Sequence, residues 1–575
     1  MRSSQTYIGW LPDQAWLAFS EVEHVILQGA YLHPVRDWVR AAETPGSEFN
    51  RTLLAVCAGK EPLRAEAAQM CARTLAAFGQ VHGLDRAVLV TRSAGRINVL
   101  GTHIDHRGGS VNPVAIRHMW LVAAPREDDL VAAGNVQSDR FSEERFRIRE
   151  CLPWGTKIDD WGVWCLAEFS KRRGDASVTW SNYIRAAVLY LQHLLTRTDG
   201  TVDVAVRGMD MMFYGNIPPA VGLSSSSAIV VAAAEAVVRL NALPITRDDL
   251  VTHCGYAERY VGTHGGCSDH AAIAFGRGDA ITHITAFPLT VDGGSLPDGY
   301  RLVLANSLVA AEKREAARNI FNSRIAAYEI GLLMIHKNFP QYAGKLEYLR
   351  DIHPNRLGVD ESRIYQILRT LPMSARRSEI LRLLPERERE IHRVFQTHDE
   401  SVDGYRIRQI CLYGVAECTR ADMVPHCLKS GDMKRFGELM NISHDGDRVT
   451  RCIADHRIPI DNSCPDERID SLIRDLESGD PERVERARLW RQPGGYGVSV
   501  PEVDKLVDIA LATPGVLGAG LVGAGMGGCI VAVVKTEQVR QLIENLAEQY
   551  YNARGGPVAA EEVAPVGGLH TFEIT

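Results

Sequence analysis

Glycine-rich stretches at three places along the chain each lead into an apolar run. The stretches cover residues 95–109, 215–227 and 515–528, and the apolar runs after them span residues 111–116, 228–238 and 530–534. The first and third runs are short and predict buried strands, whereas the second is alanine-rich and predicts a buried helix. A Gly/Ser turn that opens directly into a helix is a potential anion site, because unpaired N–H groups and the helix dipole both point at the turn.

The pattern in the rest of the chain is less regular. Residues 335–500 are polar with a helical spacing of apolar positions, and their Arg- and Glu-rich stretches predict solvated helix faces. Residues 1–75 carry no chemical motif, but Trp10, Trp16 and Trp38 lie among alternating polar and apolar residues, which indicates an ordered element packed on the body of the protein. No window of the sequence approaches the roughly 18 consecutive apolar residues of a membrane span, so we expect no membrane partner.

Composition narrows the class of protein. The chain has 575 residues, of which 45% are hydrophobic and 23% charged, and this is typical of a globular protein with several domains or lobes. Lys and Arg number 64 against 71 Asp and Glu, and the net charge of −7 argues against nucleic acid as a partner. The 12 cysteines form no CxxC pair and the N-terminus lacks a secretory pattern, so we expect a cytoplasmic protein with reduced thiols.

The second glycine-rich stretch, GNIPPAVGLSSSSA at residues 215–228, is the sharpest local sign of a phosphate site. Gly222 would let backbone N–H groups approach a ligand, and the serines that follow would offer hydroxyls to phosphate oxygens or Mg²⁺. The chain has no GxxxxGK[ST] sequence, which excludes an ordinary P-loop. Alone, a serine-rich loop before an apolar helix is more often a capped core helix than a phosphate site. The third stretch, GAGMGGC at residues 523–529, favours the phosphate site, because dense glycines cost conformational entropy unless backbone must come close to something.

Taken together, the three stretches resemble the three motifs of the galactokinase branch of the GHMP small-molecule kinases. The first, GRINVLGTHIDH at residues 95–106, is similar to that branch's sugar-recognition signature, and the run through residue 109 is closer to the form found in plant-type galacturonokinases. Weaker signatures of the family follow in the same order at residues 180–183, 306–307, 321–324, 436–440, 443–444 and 498–504. The resemblance extends from about residue 78 to the C-terminus.

The resemblance implies an α+β protein with the two-lobed GHMP kinase fold, in which mixed sheets and helices bind a nucleotide and a sugar between the lobes. It divides the chain into an N-terminal extension of unknown role (1–75), an N-terminal lobe (76–290) and a C-terminal lobe (291–575) with the polar helical insertion at about 335–500. The implied activity is transfer of a phosphoryl group from ATP, with Mg²⁺, to the anomeric (C1) hydroxyl of galactose or of a C6-modified relative such as galacturonate. The oligomeric state stays open.

The resemblance also assigns roles to individual residues. Asp269, in GTHGGCSDH at residues 262–270, would be the base that accepts the proton of the attacking hydroxyl. Arg96 would lie beside it, keep it ionised and counter charge on the transferred phosphoryl group. The sugar would bind to Thr102, His103, Asp105, Gly266 and Phe321; the nucleotide to Trp180, Gly222, Ser224, Ser225, Ser226, Ser227 and Gly525; and Mg²⁺ to Ser226 and Glu258. Trp180 is equally compatible with a core tryptophan on a helix.

One departure from the family pattern bears on the substrate. Thr102 stands where galactose kinases have a glutamate that contacts the C6 hydroxyl of the sugar. A threonine removes the repulsion that a carboxylate would exert on a uronate and offers a hydrogen-bond donor, so galacturonate is a candidate substrate. Arg107, one step beyond the motif, is a source of positive charge for it or else a surface turn residue.

Other departures bear on catalysis. Phe321 replaces a tyrosine that touches the sugar, and Gly520 replaces an arginine. The family's Mg²⁺-linked glutamate falls on Ala257, so Glu258 would serve only with a shift of the local helix register, since one residue turns a helix by about 100°. A catalytically weakened sugar sensor that acts through protein contacts is therefore the alternative hypothesis. The retained Arg96 and Asp269 favour the enzyme.

A metal cluster is a competing interpretation of the segment around Asp269. His264, Cys267, Asp269 and His270 are all ligand types, but their spacing matches no common zinc pattern. We therefore expect these residues to act on a sugar and a phosphoryl group rather than to bind zinc.

Overall fold

A computed structural model describes residues 32–574 of the protein, apart from residues 173–179, 264, 311–314 and 454–455. Trp10, Trp16 and His264, all used above, lie outside the described residues. The strands of the described part are, in chain order, β1 (His33–Pro34), β2 (Ala87–Asn98), β3 (Ser110–Val111), β4 (Pro113–Pro125), β5 (Leu130–Asn135), β6 (Glu144–Arg147), β7 (Met209–Gly215), β8 (Ile281–Thr285), β9 (Thr290–Gly294), β10 (Tyr300–Asn306), β11 (Thr450–Ile453), β12 (His456–Pro459), β13 (Val516–Leu521), β14 (Cys529–Lys535), β15 (Ala560–Glu562) and β16 (His570–Thr571).

The α-helices surround these strands. In chain order they are α1 (Val35–Glu43), α2 (Glu48–Val56), α3 (Glu61–His82), α4 (Ile148–Cys151), α5 (Trp161–Arg172), α6 (Ser181–Leu194), α7 (Ser225–Leu240), α8 (Arg247–Ala257), α9 (Ser268–Phe275), α10 (Glu315–Asn338), α11 (Pro354–Leu357), α12 (Glu361–Arg369), α13 (Arg377–Leu383), α14 (Glu388–Phe395), α15 (Ile407–Ser430), α16 (Met433–Asp447), α17 (Asp466–Leu476), α18 (Pro481–Ala487), α19 (Pro501–Ala512) and α20 (Val539–Leu546). Within the described residues, no helix combines the length and the apolar composition that crossing a membrane requires.

The largest sheet has seven strands in the order β1-β2-β4-β7-β5-β6, with β16 paired to β2 beside β1. Its neighbouring strands are antiparallel except for the parallel pair β5 and β7. Side chains alternate between the two faces of a strand, and both faces are covered here. Leu89 and Leu121 pack with helices α6 and α7, whereas Val90 and Trp120 pack with helices α1 to α3 on the opposite face.

Helices α1 to α3 form a layer over the outer face of this sheet. Trp38 of α1 is fully buried, and its indole N–H donates to the carbonyl oxygen of Val88 at 3.0 Å. Helix α3 continues through residue 75, the end of the predicted N-terminal extension. The described part of that extension is therefore ordered and packed on the body of the protein, as its tryptophan pattern indicated.

The second sheet, in the order β13-β14-β10-β15, lies between two hydrophobic cores. Val531 and Val533 of β14 pack into the core of the first sheet, whereas Ile530, Ala532 and Val534 pack into a second core with helices α10, α15 and α19. The predicted α+β class is confirmed. So are the predicted elements, since residues 111–116 lie in and between β3 and β4, residues 228–238 lie in α7, and residues 530–534 lie in β14.

The polar segment at residues 335–500 contains helices α11 to α18, as its pattern predicted, together with the hairpin β11–β12. Helix α12 buries one apolar face, with Ile364 and Leu368, whereas α15 is buried on all sides from Ile407 to Cys418, which the prediction of solvated helix faces did not anticipate. Charged side chains such as that of Arg382, which is 78% exposed, cover the outside. The segment thus adds a layer to the second core, and the division into lobes stays a prediction.

Loss of a buried side chain from α3 should destabilise the protein. Leu75 is fully buried in the core between α3 and the first sheet, so Leu75→Ala should lower the free energy of unfolding by about 2–5 kcal/mol, measured by urea denaturation. The control is Val81→Ala in the same helix, because Val81 is 62% exposed and its loss should change the free energy by less than about 0.5 kcal/mol. Equal midpoints for the two variants would mean that the helical layer does not contribute to the core.

Candidate active site

Two glycine-rich loops meet backbone to backbone at the start of helix α7. Gly222 has a φ of +86°, and a Cβ atom there would lie 2.7 Å from the carbonyl oxygen of Val522. In the facing loop, a Cβ atom on Gly523 would lie 2.9 Å from the Cα atom of Gly222. Real Cβ atoms do not come so close to backbone, so a side chain at either position would push the loops apart. The dense glycines in the sequence predicted a close approach of backbone to another group. In the structure, the backbones of the two loops approach each other.

Further contacts extend this junction to its neighbours. Gly525 has a φ of +86°, and a Cβ atom there would lie 2.6 Å from the carbonyl oxygen of Val498. On the other side, the N–H of Arg96 in β2 donates to the carbonyl oxygen of Leu223 at 3.1 Å. All three glycine-rich stretches of the sequence thus meet at one point, where α7 begins.

Arg96 and Asp269 form a bidentate ion pair beside this junction. Arg96 Nε and Nη2 donate to the two carboxylate oxygens of Asp269, each at 2.7 Å, and Ser224 Oγ donates to Asp269 Oδ2 at 2.5 Å. The side chain of Arg96 is 8% exposed, whereas that of Asp269 is 34% exposed. The guanidinium is held in place by the protein, and part of the carboxylate stays open to a substrate. The two residues predicted to be catalytic are therefore brought together.

The serines at the start of α7 differ in their contacts. Ser225 and Ser226 are partly exposed, and neither side chain hydrogen-bonds to another described residue. Ser227 is buried, and its Oγ donates to Glu258 Oε1 at 2.7 Å. The first N–H groups of a helix have no acceptor within it, so hydroxyls and amides together offer donors to an anion.

Glu258 lies at a change in helix type. Helix α8 ends at Ala257, and Glu258–Val261 continue as a 3₁₀ helix, in which each residue turns further about the axis. The carboxylate of Glu258 accepts a hydrogen bond from Ser227 and lies 3.4 Å from His270 Nε2, so it faces the start of α7, and its assignment to Mg²⁺ stays a prediction. Ser226 and Glu258 are hard oxygen donors of the kind that Mg²⁺ prefers, and one or two such protein ligands suffice when phosphates supply the others.

The loop of residues 101–107, which we call the sugar loop, contains Asp105. The carboxylate of Asp105 lies against Gly266, which is outside the loop. Ser268 Oγ donates to Asp105 Oδ2 at 2.6 Å, and His106 Nδ1 lies 3.3 Å from Asp105 Oδ1. Burial by itself would raise the pKa of Asp105, but the hydrogen bonds from His106 and Ser268 outweigh it and hold that pKa well below its usual range. A Cβ atom on Gly266 would clash with the carboxylate of Asp105, so this glycine is required for the contact.

Thr102 and His103 face helices of the C-terminal half of the chain. The hydroxyl of Thr102 lies 2.7 Å from the phenol oxygen of Tyr413, and His103 Nε2 lies 3.2 Å from Asp447 Oδ2. The ring of His103 stacks on that of Tyr496, with centroids 4.2 Å apart. Both residues are nearly buried, so the predicted sugar contacts here are already engaged by the protein.

A cavity of about 170 Å³ adjoins the sugar loop. A cavity of roughly this volume can hold a six-membered ring. Its lining includes His106, Arg107, Gly266, Asn322, Ile325 and Glu329. Arg107 Nη2 donates to Glu329 Oε1 at 2.7 Å, so its charge is paired rather than exposed as a surface turn residue would be. Phe321 is partly buried in α10, next to Asn322. Asp269 and Arg96 lie outside this lining.

Trp180 lies immediately before helix α6. Its indole N–H donates to the carbonyl oxygen of Ser142 at 3.0 Å, and its ring packs edge-on against Phe213 of β7 with centroids 5.6 Å apart. These contacts are those of a tryptophan packed on a core. They leave its assignment to the nucleotide a prediction.

Several residues of this region were missed by the sequence analysis. They contact the sugar loop from elsewhere in the chain and are Ser268, Tyr413, Glu417, Asp447 and Tyr496. Four of them lie more than 300 residues from the loop, and no local pattern sets them apart. Ser268 is the exception, since it lies directly before Asp269 in the motif.

Comparisons with known proteins agree with this arrangement. Three family models match the chain: "GHMP kinases N terminal domain" at residues 182–277, "GHMP kinases C terminal" at residues 472–552 and "Galactokinase galactose-binding signature" at residues 76–126. A galactokinase of Roseiflexus sp. (strain RS-1) is 27% identical over 480 residues, which cover 83% of this chain and 91% of the relative. The galactokinase of Schizosaccharomyces pombe is 26% identical over 491 residues, which cover 82% and 88%.

A solved structure has the same fold. The crystal structure of Lactococcus lactis galactokinase complexed with galactose covers 88% of this chain and 100% of its own, with a TM-score of 0.57 and 21% sequence identity. The chain carries the N- and C-terminal domains of the GHMP kinases together with the galactose-binding signature of galactokinases. The predicted enzyme class, a sugar 1-kinase, is confirmed, and these domains imply ATP as the phosphoryl donor.

A side chain at the junction of the loops should weaken nucleotide binding. Gly222→Ala combines an unfavourable φ with a clash against Val522, so we expect the KM for ATP to rise about tenfold or more while the KM for the sugar changes less. The control is Gly344→Ala, because a Cβ atom on Gly344 would have nothing within 4 Å. Steady-state kinetics with each substrate varied would check this. An unchanged KM for ATP would contradict the role of the junction.

Proposed function

We propose that this sugar kinase transfers the γ-phosphoryl group of ATP to the anomeric hydroxyl of galactose or of a relative modified at C6. The observation that carries the proposal is the Arg96–Asp269 ion pair at the start of α7, where a base, its counter-charge and an anion-binding helix end lie together. The names and the signature of the relatives support galactose as the sugar.

Asp269 would act on the attacking hydroxyl. As the sugar O1 approaches the γ-phosphorus, its proton passes to the carboxylate of Asp269, the O1–P bond forms, and the bond from the γ-phosphorus to the bridging oxygen breaks to release ADP. Arg96 keeps the carboxylate oriented through its two hydrogen bonds. Ser224 adds a third donor to the same group, which makes the orientation of the base independent of substrate.

The nucleotide would bind along the glycine-rich junction. Ser225, Ser226 and the N–H groups at the start of α7 would hold phosphate oxygens, with backbone at Gly222 and Gly525 in close contact. Ser226 and Glu258 would hold Mg²⁺, which when bound neutralises phosphate charge. The partly exposed hydroxyl of Ser226, with no hydrogen bond to another described side chain, supports this role.

The sugar would bind at the sugar loop and the adjoining cavity. Asp105 would accept hydrogen bonds from sugar hydroxyls, because its lowered pKa keeps it ionised at neutral pH. Gly266 borders the cavity, and Phe321 lies beside it in α10. His103 and Thr102 would act through the shape of the sugar loop, because their polar side-chain atoms already contact Asp447 and Tyr413.

Galacturonate remains a second candidate because of Thr102. No carboxylate belongs to this position, which removes the charge that would repel a uronate. The threonine hydroxyl, however, is buried and already hydrogen-bonded to Tyr413. Arg107 is paired with Glu329, so it is not a spare cation. These two contacts make galactose the first expectation.

The intact Arg96–Asp269 pair favours an enzyme over a catalytically weakened sensor. Replacing the proposed base, Asp269, tests this assignment. Asp269→Asn should lower kcat by about 100-fold or more, while the KM for the sugar changes only a few-fold, because the side chain acts mainly in the transition state. ADP release with galactose measures both. The control is Asp298→Asn, because Asp298 is exposed in the turn before β10. Near-normal turnover of Asp269→Asn would reject the assigned base, and binding of sugar without turnover in the natural protein would favour the sensor.

The sugar is tested by comparing kcat/KM for galactose, galacturonate and arabinose in the purified protein. We expect galactose to be preferred over galacturonate by about tenfold or more, because Arg107 is already paired with Glu329 and the relatives are galactokinases. A preference for galacturonate would assign the acid instead, with Arg107 and Arg259 of the cavity lining as the cations that could meet its carboxylate.

A further inference from the structure

A fully buried ion pair lies directly behind the sugar loop. Glu417 and Arg420 are one turn apart in α15, both side chains are 0% exposed, and Arg420 Nε donates to Glu417 Oε2 at 2.7 Å. Arg420 Nη1 also donates to the carbonyl oxygens of Trp490 and Gln492, at 2.9 and 2.8 Å. Arg420 Nη2 is buried without a hydrogen-bond partner among the described residues, so the protein compensates this charge through Nε and Nη1.

The other oxygen of Glu417 faces the sugar loop. Glu417 Oε1 accepts hydrogen bonds from the N–H groups of Gly101 and Thr102, at 2.8 and 3.2 Å, and from Ser443 Oγ at 2.8 Å. Gly101 and Thr102 are both buried, and their amides have no other acceptor among the described residues. Without this carboxylate, two consecutive buried N–H groups would be left unpaired, which is costly.

The backbone that Glu417 holds leads directly to the residues assigned to the sugar. Gly101 has a φ of +88°, and a Cβ atom there would clash with the carbonyl oxygen of Ser110, so the chain turns sharply at this point. His103 follows with a φ of +64°, which is rare for a residue with a side chain. A loop with this conformation needs support from outside. Tyr413, one turn before Glu417 on α15, adds to it through the hydroxyl of Thr102.

We infer that Glu417 is a positioning residue for the sugar. Its carboxylate, fixed by Arg420, holds the amides of Gly101 and Thr102 and thereby orients His103 and Asp105. This inference rests on the proposed function, in which the sugar loop binds the sugar. The junction that holds the phosphates is separate, since it consists of the contacts of Gly222 with Val522 and Gly523. Loss of Glu417 therefore acts on the sugar and spares the nucleotide.

Two double variants distinguish the role of the Glu417 side chain as a hydrogen-bond acceptor from the role of its ion pair with Arg420. Both Glu417→Met/Arg420→Met and Glu417→Gln/Arg420→Met lack the ion pair, but only the second keeps an oxygen that can accept from the loop amides. We expect the Met/Met variant to raise the KM for galactose about tenfold or more with the KM for ATP nearly unchanged. The conservative Gln/Met variant should restore most of the sugar KM.

The outcomes are distinct. Equal sugar KM values in the two double variants would overturn the inference, because the effect would then belong to the ion pair or to packing. An equal rise in both KM values for Met/Met would overturn it as well. If the Met/Met variant does not fold, hydrogen exchange of the Gly101 and Thr102 amides in the single variant Glu417→Gln is measured instead. Faster exchange than in the natural protein supports the inference, because Arg420 and the loop amides then compete for the one remaining oxygen. Unchanged exchange overturns it. This measurement also holds if the natural protein phosphorylates no sugar, in which case the proposed function alone fails.

Discussion

The backbone contact between the two glycine-rich loops is the constraint on which the site depends. Gly222 and Gly523 approach each other with no side chain between them, so the start of α7 lies directly against the loop before β14. Since β14 contributes side chains to both large cores, this contact connects the start of α7 to both cores. Strand β2 joins the same point through the hydrogen bond from Arg96 to Leu223. Asp269 then follows, because its position is set by Arg96.

The elements that could be predicted were those with a strong local pattern. Residues 530–534 are apolar without alternation, which indicates a strand buried on both faces, and β14 is buried between two cores. Residues 228–238 have too many apolar positions for a surface helix, and α7 is indeed packed against the first sheet. Helices α1 to α3 gave only a weak signal, because the apolar residues that they bury are divided among three elements and pack on strands β2, β4 and β7.

The candidate site divides in the same way. Arg96, Asp269 and Ser224 lie within motifs, so the sequence was sufficient to bring them together. Glu417 could not be found, because a glutamate in a long helix is ordinarily solvated and only the tertiary fold buries it beside a loop 315 residues away. The role of Glu258 was undecided for a related reason. Counting along an ideal helix assumes one rotation per residue, and that rotation changes where α8 becomes a 3₁₀ helix.

The distribution of charge around the site has a consequence for how the nucleotide is recognised. The chain carries a net charge of −7, and the arginines nearest the candidate base and the sugar loop already have carboxylate partners, Arg96 in Asp269 and Arg107 in Glu329. A triphosphate therefore finds no free guanidinium in these two residues. Besides Mg²⁺, attraction at this point would come from the amides at the start of α7 and from the hydroxyls of Ser225 and Ser226, which are dipoles and act only at short range. Because dipoles must be aimed to be effective, recognition depends on the shape of the loop more than on its charge, and that shape exists only where the glycines let two backbones touch.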